Sequence, residues 1–81
     1  MKIAGPFSMQ TASDIQRDGL GAELLCDQEV IAEVFRSDAE RTLIITTFGN
    51  DIPLVVIEEF ISYARERLEK FEDGSSLPSA P

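Results

Sequence analysis

With 81 residues, no histidine and a single cysteine, the chain has room for one domain and cannot form an intrachain disulfide or supply a histidine base to a catalytic thiol. Fifteen acidic against seven basic side chains leave a formal net charge of −8. That charge opposes binding to nucleic-acid phosphates or anionic membrane surfaces and is compatible with a basic protein partner.

No apolar run approaches the ~18 residues of a membrane span, and the N-terminus lacks the apolar core of an export signal. The lone thiol suits a reducing compartment, so the expectation is a cytoplasmic protein with no membrane and no nucleic-acid partner.

Residues 1–18, MKIAGPFSMQTASDIQRD, are weakly patterned, with Ile3, Phe7 and Ile15 as the large apolar anchors. They read as a mostly irregular N-terminal segment, in which Met9 is an alternative start. Gly19-Leu20-Gly21 then opens a run of β-formers from Leu20 to Cys26, and Asp27-Gln28-Glu29 is a turn. Val30 to Arg36 is a second run, Ser37-Asp38-Ala39-Glu40 a polar turn, and Arg41 to Phe48 a third run. Short turns between three such runs imply an antiparallel meander.

The two hairpins make separate statements about which side chains share a face. A three-residue first loop pairs Cys26 with Val30, Leu24 with Ala32 and Ala22 with Val34. A four-residue second loop pairs Arg36 with Arg41, Val34 with Leu43 and Ala32 with Ile45. Both registers put Ala22, Leu24, Cys26, Val30, Ala32, Val34, Leu43, Ile45 and Thr47 on one side, a nearly continuous apolar surface able to receive a helix.

The other side carries Gly21, Glu23, Leu25, Ile31, Glu33, Phe35, Thr42, Ile44, Thr46 and Phe48. A solvated sheet face should read polar. Leu25, Ile31, Phe35, Ile44 and Phe48 therefore mark an expected interface. Phe35 stands opposite Gly21; part of its ring covers bare glycine backbone, and the rest is expected to project as an aromatic anchor.

Asn50-Asp51-Ile52-Pro53 marks a helix start, with proline at the first helical position and the Asp51 carboxylate near the free amides of the first turn. At 100° per residue, Leu54, Ile57, Phe60, Ile61, Ala64, Leu68 and Phe71 form the core stripe, and Val56 and Tyr63 lie on a shoulder beside Arg67. Glu72-Asp73-Gly74 ends the helix, and residues 74–81, GSSLPSAP, have linker composition and are expected to be disordered. The expected fold class is α+β. Residues 19–73 form a three-stranded antiparallel meander, order 1-2-3, packed on one face by a single long C-terminal helix.

Few residues offer chemistry. Cys26 reads as a structural thiol on the buried face. Glu23 and Glu33 face each other across neighbouring strands, and such a like-charge pair would suit a shared proton, a hard metal such as magnesium, a basic partner residue, or a simple rim position. The loop before Pro53 lacks a phosphate-binding fingerprint. Arg65, Arg67 and Lys70 are interleaved with Glu66 and Glu69, the pattern of a solvated helix face.

No catalytic residue, metal site or cofactor is assigned. The expectation is a non-enzymatic protein-interaction module, a homodimer through the outer sheet face. The alternatives are an inhibitor or immunity-type protein that neutralises a basic partner, or an enzyme using Glu23 and Glu33.

Overall fold

The computed structural model describes residues 6–14 and 19–68. The elements in chain order are β1 (Phe7–Asp14), β2 (Gly19–Cys26), β3 (Glu29–Ser37), β4 (Thr42–Thr46) and α1 (Leu54–Leu68). The strands form one antiparallel sheet in the order β1-β2-β3-β4. α1 lies across one face, mainly over β2, with lesser contacts to β1 and β3. The architecture is α+β, as expected, but the sheet has four strands rather than three. Ile3, Ile15, the helix beyond Leu68, the Gly74 end and the 74–81 tail lie outside the described residues.

The added strand is β1, in the segment expected to be irregular. It pairs with β2 along its whole length, from Phe7 opposite Cys26 to Asp14 opposite Gly19. Among its described side chains only Phe7 and Met9 reach the core; Thr11 and Ser13, next in the same alternation, are exposed. Two apolar positions are too few to display a period of two. Backbone hydrogen bonding to β2 holds this strand, and it covers an edge that would otherwise stay open.

The β2–β3 hairpin is tighter than expected at its tip. Asp27 and Gln28 both have left-handed backbone, φ 52° and 70°, as a two-residue primed turn demands. Cys26 therefore faces Glu29, and Leu25 faces Val30. A bulge beyond Leu25 leaves Ile31 as an extra residue on β3 and returns Leu24 to Ala32, Glu23 to Glu33, Ala22 to Val34 and Gly21 to Phe35. The bulge reverses the alternation at the tip. Ile31, expected on the outer face, is 5% exposed and belongs to the core, whereas Val30, expected inside, is 37% exposed.

The second hairpin closes through residues 38–41, with Ser37 facing Thr42, Arg36 facing Leu43 and Val34 facing Ile45. This is two residues from the expected register. An even slip preserves the faces, so Leu43 and Ile45 remain on the side of Val34. Arg41 and Phe48, at φ 57° and 54°, bracket β4 with left-handed backbone and confine it to five residues. Arg36 is buried and ion-paired with Asp38, Nε to Oδ1 at 3.1 Å, which ties the turn to the strand it leaves.

The core comprises Ala22, Leu24, Ile31, Ala32 and Val34 from the sheet and Phe60, Ala64 and Leu68 from α1. Alanines on both sides let the helix approach closely, and Phe60 fills the remaining space. The Pro53 carbonyl accepts bonds from the amides of Val56 and Ile57, both at 3.0 Å, and so starts the helix.

The helix phase differs from expectation. Ile57, Phe60, Ala64 and Leu68 lie on the buried side as expected, but Leu54 and Ile61 are exposed, and the shoulder residues Val56 and Tyr63 pack against the core. The buried stripe has turned toward the Val56–Tyr63 shoulder. The cause is β1: a strand added beyond β2 moves the middle of the sheet, and Phe7 and Met9 supply apolar surface on that side.

Candidate functional site: exposed apolar surface around strand β4

β4 is an edge strand of sequence TLIIT. Its helix-side residues are Leu43 and Ile45, and its outer-face residues are Thr42, Ile44 and Thr46, each opposite a β3 residue of the same face. Ile44 is 48% exposed, and Ile45 is exposed as well. Edge strands of soluble proteins are ordinarily blunted by charge, proline or a covering element. β4 carries no charged residue and no proline, and among the described residues only β3 pairs with it.

The turn after β4 holds Phe48 in the open. The Asn50 amide nitrogen donates to the Thr47 carbonyl at 3.0 Å. The Asn50 side chain donates from Nδ2 to the carbonyls of Thr47, at 2.9 Å, and Ile31, at 3.0 Å. The turn is thereby stitched to β3 at its bulge. Phe48, at φ 54°, is 58% exposed. A left-handed backbone costs an ordinary L-residue roughly 1–2 kcal/mol, and an aromatic ring left in water forgoes its burial energy as well.

The expected interface residues separate into three groups. Ile44 and Phe48 are exposed, Leu25 is half-buried, and Ile31 and Phe35 are buried. Phe35 was expected to project from the sheet but is 8% exposed. Its backbone faces Gly21, as the register predicts, while its ring tip leans over Gly19, where an added Cβ would collide with Cζ of the ring. The missing side chain at Gly19 makes room for the ring tip, and the ring lies down against the sheet there. Val30 joins the exposed outer residues; sequence reasoning missed it because the bulge is invisible in the alternation.

On the helix side, the space between α1 and β4 is an open groove of ≈ 450 Å³. Val34, Leu43, Ile45, Ile61 and Ala64 line it, together with Arg41, Thr42 and Arg65. The groove follows from the position of the helix over β2, which leaves β4 uncovered.

The carboxylates expected to pair do face each other: Glu23 is opposite Glu33. The side chain of Gln10 on β1 donates from Nε2 to Glu23 Oε1 at 2.7 Å. A strand unseen in the sequence thus supplies a neutral donor to one member of the pair. Among the described residues no three metal-ligating side chains cluster. Cys26 is half-buried at the end of β2 and packs against the core. On α1, the Arg67 guanidinium stacks over Tyr63 at 4.5 Å from the ring centroid, which explains why that shoulder sits beside a cation. No helix among the described residues is long and apolar enough to cross a membrane.

The chain matches no protein-family profile, no curated protein and no solved structure.

Proposed function

We propose that the protein is a small, acidic, non-enzymatic interaction module that self-associates through its outer sheet face. Ile44 and Phe48 are the principal contacts, Val30 and Leu25 flank them, and Phe35 forms a rigid floor beneath. The observation that carries this reading is Phe48: an exposed aromatic ring in a left-handed backbone, pinned by Asn50, in a place where glycine or asparagine would be less costly. Aromatic anchors of this kind dominate interface energetics. The small size of the core adds support, since short domains commonly gain stability by association.

The test uses Phe48→Asn combined with Ile44→Glu. Asparagine tolerates left-handed backbone, so the first change relieves strain while removing the ring. Light scattering after size-exclusion chromatography should give a dimer for the native chain and a folded monomer for the variant. Its melting temperature should no longer rise with protein concentration. A native chain that stays monomeric at about 500 μM, corresponding to a dissociation constant weaker than about 1 mM, would defeat the proposal.

The net charge of −8 supports a second reading, neutralisation of a basic protein partner. It predicts association that is fast and strongly weakened by salt.

A further inference from the structure

We infer that the groove between β4 and α1 is a second, separate binding site, which takes an extended peptide segment as an added fifth strand. Its preferred ligand has aliphatic side chains at alternate positions and a carboxylate at the end that lies beside Arg41 and Arg65. This goes beyond self-association, because the groove lies on the helix side of the sheet and neither Phe48 nor Ile44 lines it.

Three features converge on that ligand. The first is the edge: among the described residues β4 pairs with β3 alone, so its outward amides and carbonyls offer hydrogen bonds to an incoming backbone. The second is the apolar lining. Leu43 and Ile45 point to the helix side, and Ile61 and Ala64 form the opposing wall. A strand laid along β4 sends every second side chain to that same side, into the space beneath the helix. The volume of ≈ 450 Å³ has room for the aliphatic side chains of such a strand.

The third feature is charge. The chain carries 15 acidic and 7 basic residues, yet among the described residues the charged ones lining this groove are both arginines. Arg41 immediately precedes β4, and Arg65 is on the helix wall. The sheet is antiparallel throughout, and an antiparallel addition continues it with the more favourable hydrogen-bond geometry. Such a segment runs opposite to β4, so its C-terminal end arrives at Arg41. A terminal carboxylate or an acidic side chain there meets the guanidinium groups, which bind carboxylates as planar forks.

The 81-residue chain can be tested by fluorescence anisotropy with a labelled six-residue peptide of alternating threonine and valine that ends in a free carboxylate. Saturable binding is expected, weaker by about tenfold when the peptide C-terminus is amidated and by a similar factor in Arg65→Glu. Ile61→Glu, an exposed position on the groove wall, should weaken it further. Replacing the C-terminal residue by glutamate amide should restore part of the affinity, which separates a side-chain carboxylate from a chain end. Backbone N-methylation at alternate residues should abolish binding, because it removes the donors that a strand needs.

Phe48→Asn should leave the peptide affinity unchanged, so failure here and failure of the dimer are distinguishable. The inference is overturned by the absence of saturation at about 1 mM peptide, by equal binding of the N-methylated peptide, or by unchanged affinity in both Arg65→Glu and Ile61→Glu. It is also overturned if decanoate binds the groove while the peptide does not, which would make the site one for amphiphilic carboxylates.

Discussion

Phe60 and Ile61 are adjacent on α1 yet differ sharply in burial, and truncating each to alanine tests the helix phase directly. Phe60 is 0% exposed and lies among the core residues, whereas Ile61 is 40% exposed on the groove wall. Removing a fully buried phenyl ring withdraws about 100 Å² of apolar surface, worth about 2.5 kcal/mol at 25 cal/mol per Å². The void left behind adds about 1–2 kcal/mol where the surroundings relax only in part.

Phe60→Ala should therefore cost about 3–5 kcal/mol, a large share of the total stability of a chain of 81 residues. Ile61→Ala should cost about 1 kcal/mol or less, since much of that side chain is already in water. Urea unfolding monitored by far-ultraviolet circular dichroism, at one fixed protein concentration, gives both values from the midpoints and slopes. Equal costs at the two positions, or a larger cost at Ile61, would refute the packing of α1 described above. The stripe would then run along Leu54 and Ile61 as the sequence alone suggests.

The other expected outcomes concern the sheet. Gly19→Ala should destabilise by about 1–3 kcal/mol, because its methyl group meets both the Phe35 ring and the Arg36 carbonyl. Phe35→Leu in the same chain should recover part of that loss. Gly21→Ala is the control: its nearest neighbour would be Glu33 Oε2 at 3.5 Å, an ordinary contact, and its effect should stay within about 0.5 kcal/mol. A similar loss at both glycines in urea titrations would mean that backbone freedom, and not the ring, sets the cost. Gln28→Gly should stabilise by roughly 0.5–1 kcal/mol. Glycine removes the strain of φ 70°, and its own entropy cost offsets only part of that gain. A lowered midpoint would contradict the two-residue primed turn.

Much of the central sheet is legible in the sequence. Ala22, Leu24, Ala32 and Val34 alternate cleanly, and their shared face survives a second hairpin that closes two residues away from the simplest register, because an even slip leaves every side chain on its side. The same parity places Glu23 opposite Glu33 and Gly21 opposite Phe35. Ile44 and Phe48 are recognisable as surplus apolar residues because nothing in the alternation assigns them a place inside.

Three features were decided only by the tertiary structure. β1 has just two core side chains and is held by backbone pairing to β2, an interaction that leaves no side-chain pattern to read. The bulge at Ile31 exchanges Ile31 and Val30 between faces, and it arises from fitting a two-residue turn to a register set farther along the strands. The rotation of α1 depends on where the middle of the sheet lies. A helix with apolar residues spread around more than half its circumference can bury either flank. The presence of β1 on one side of β2, where α1 is centred, selects the Val56 and Tyr63 shoulder for the core and leaves Ile61 facing the groove.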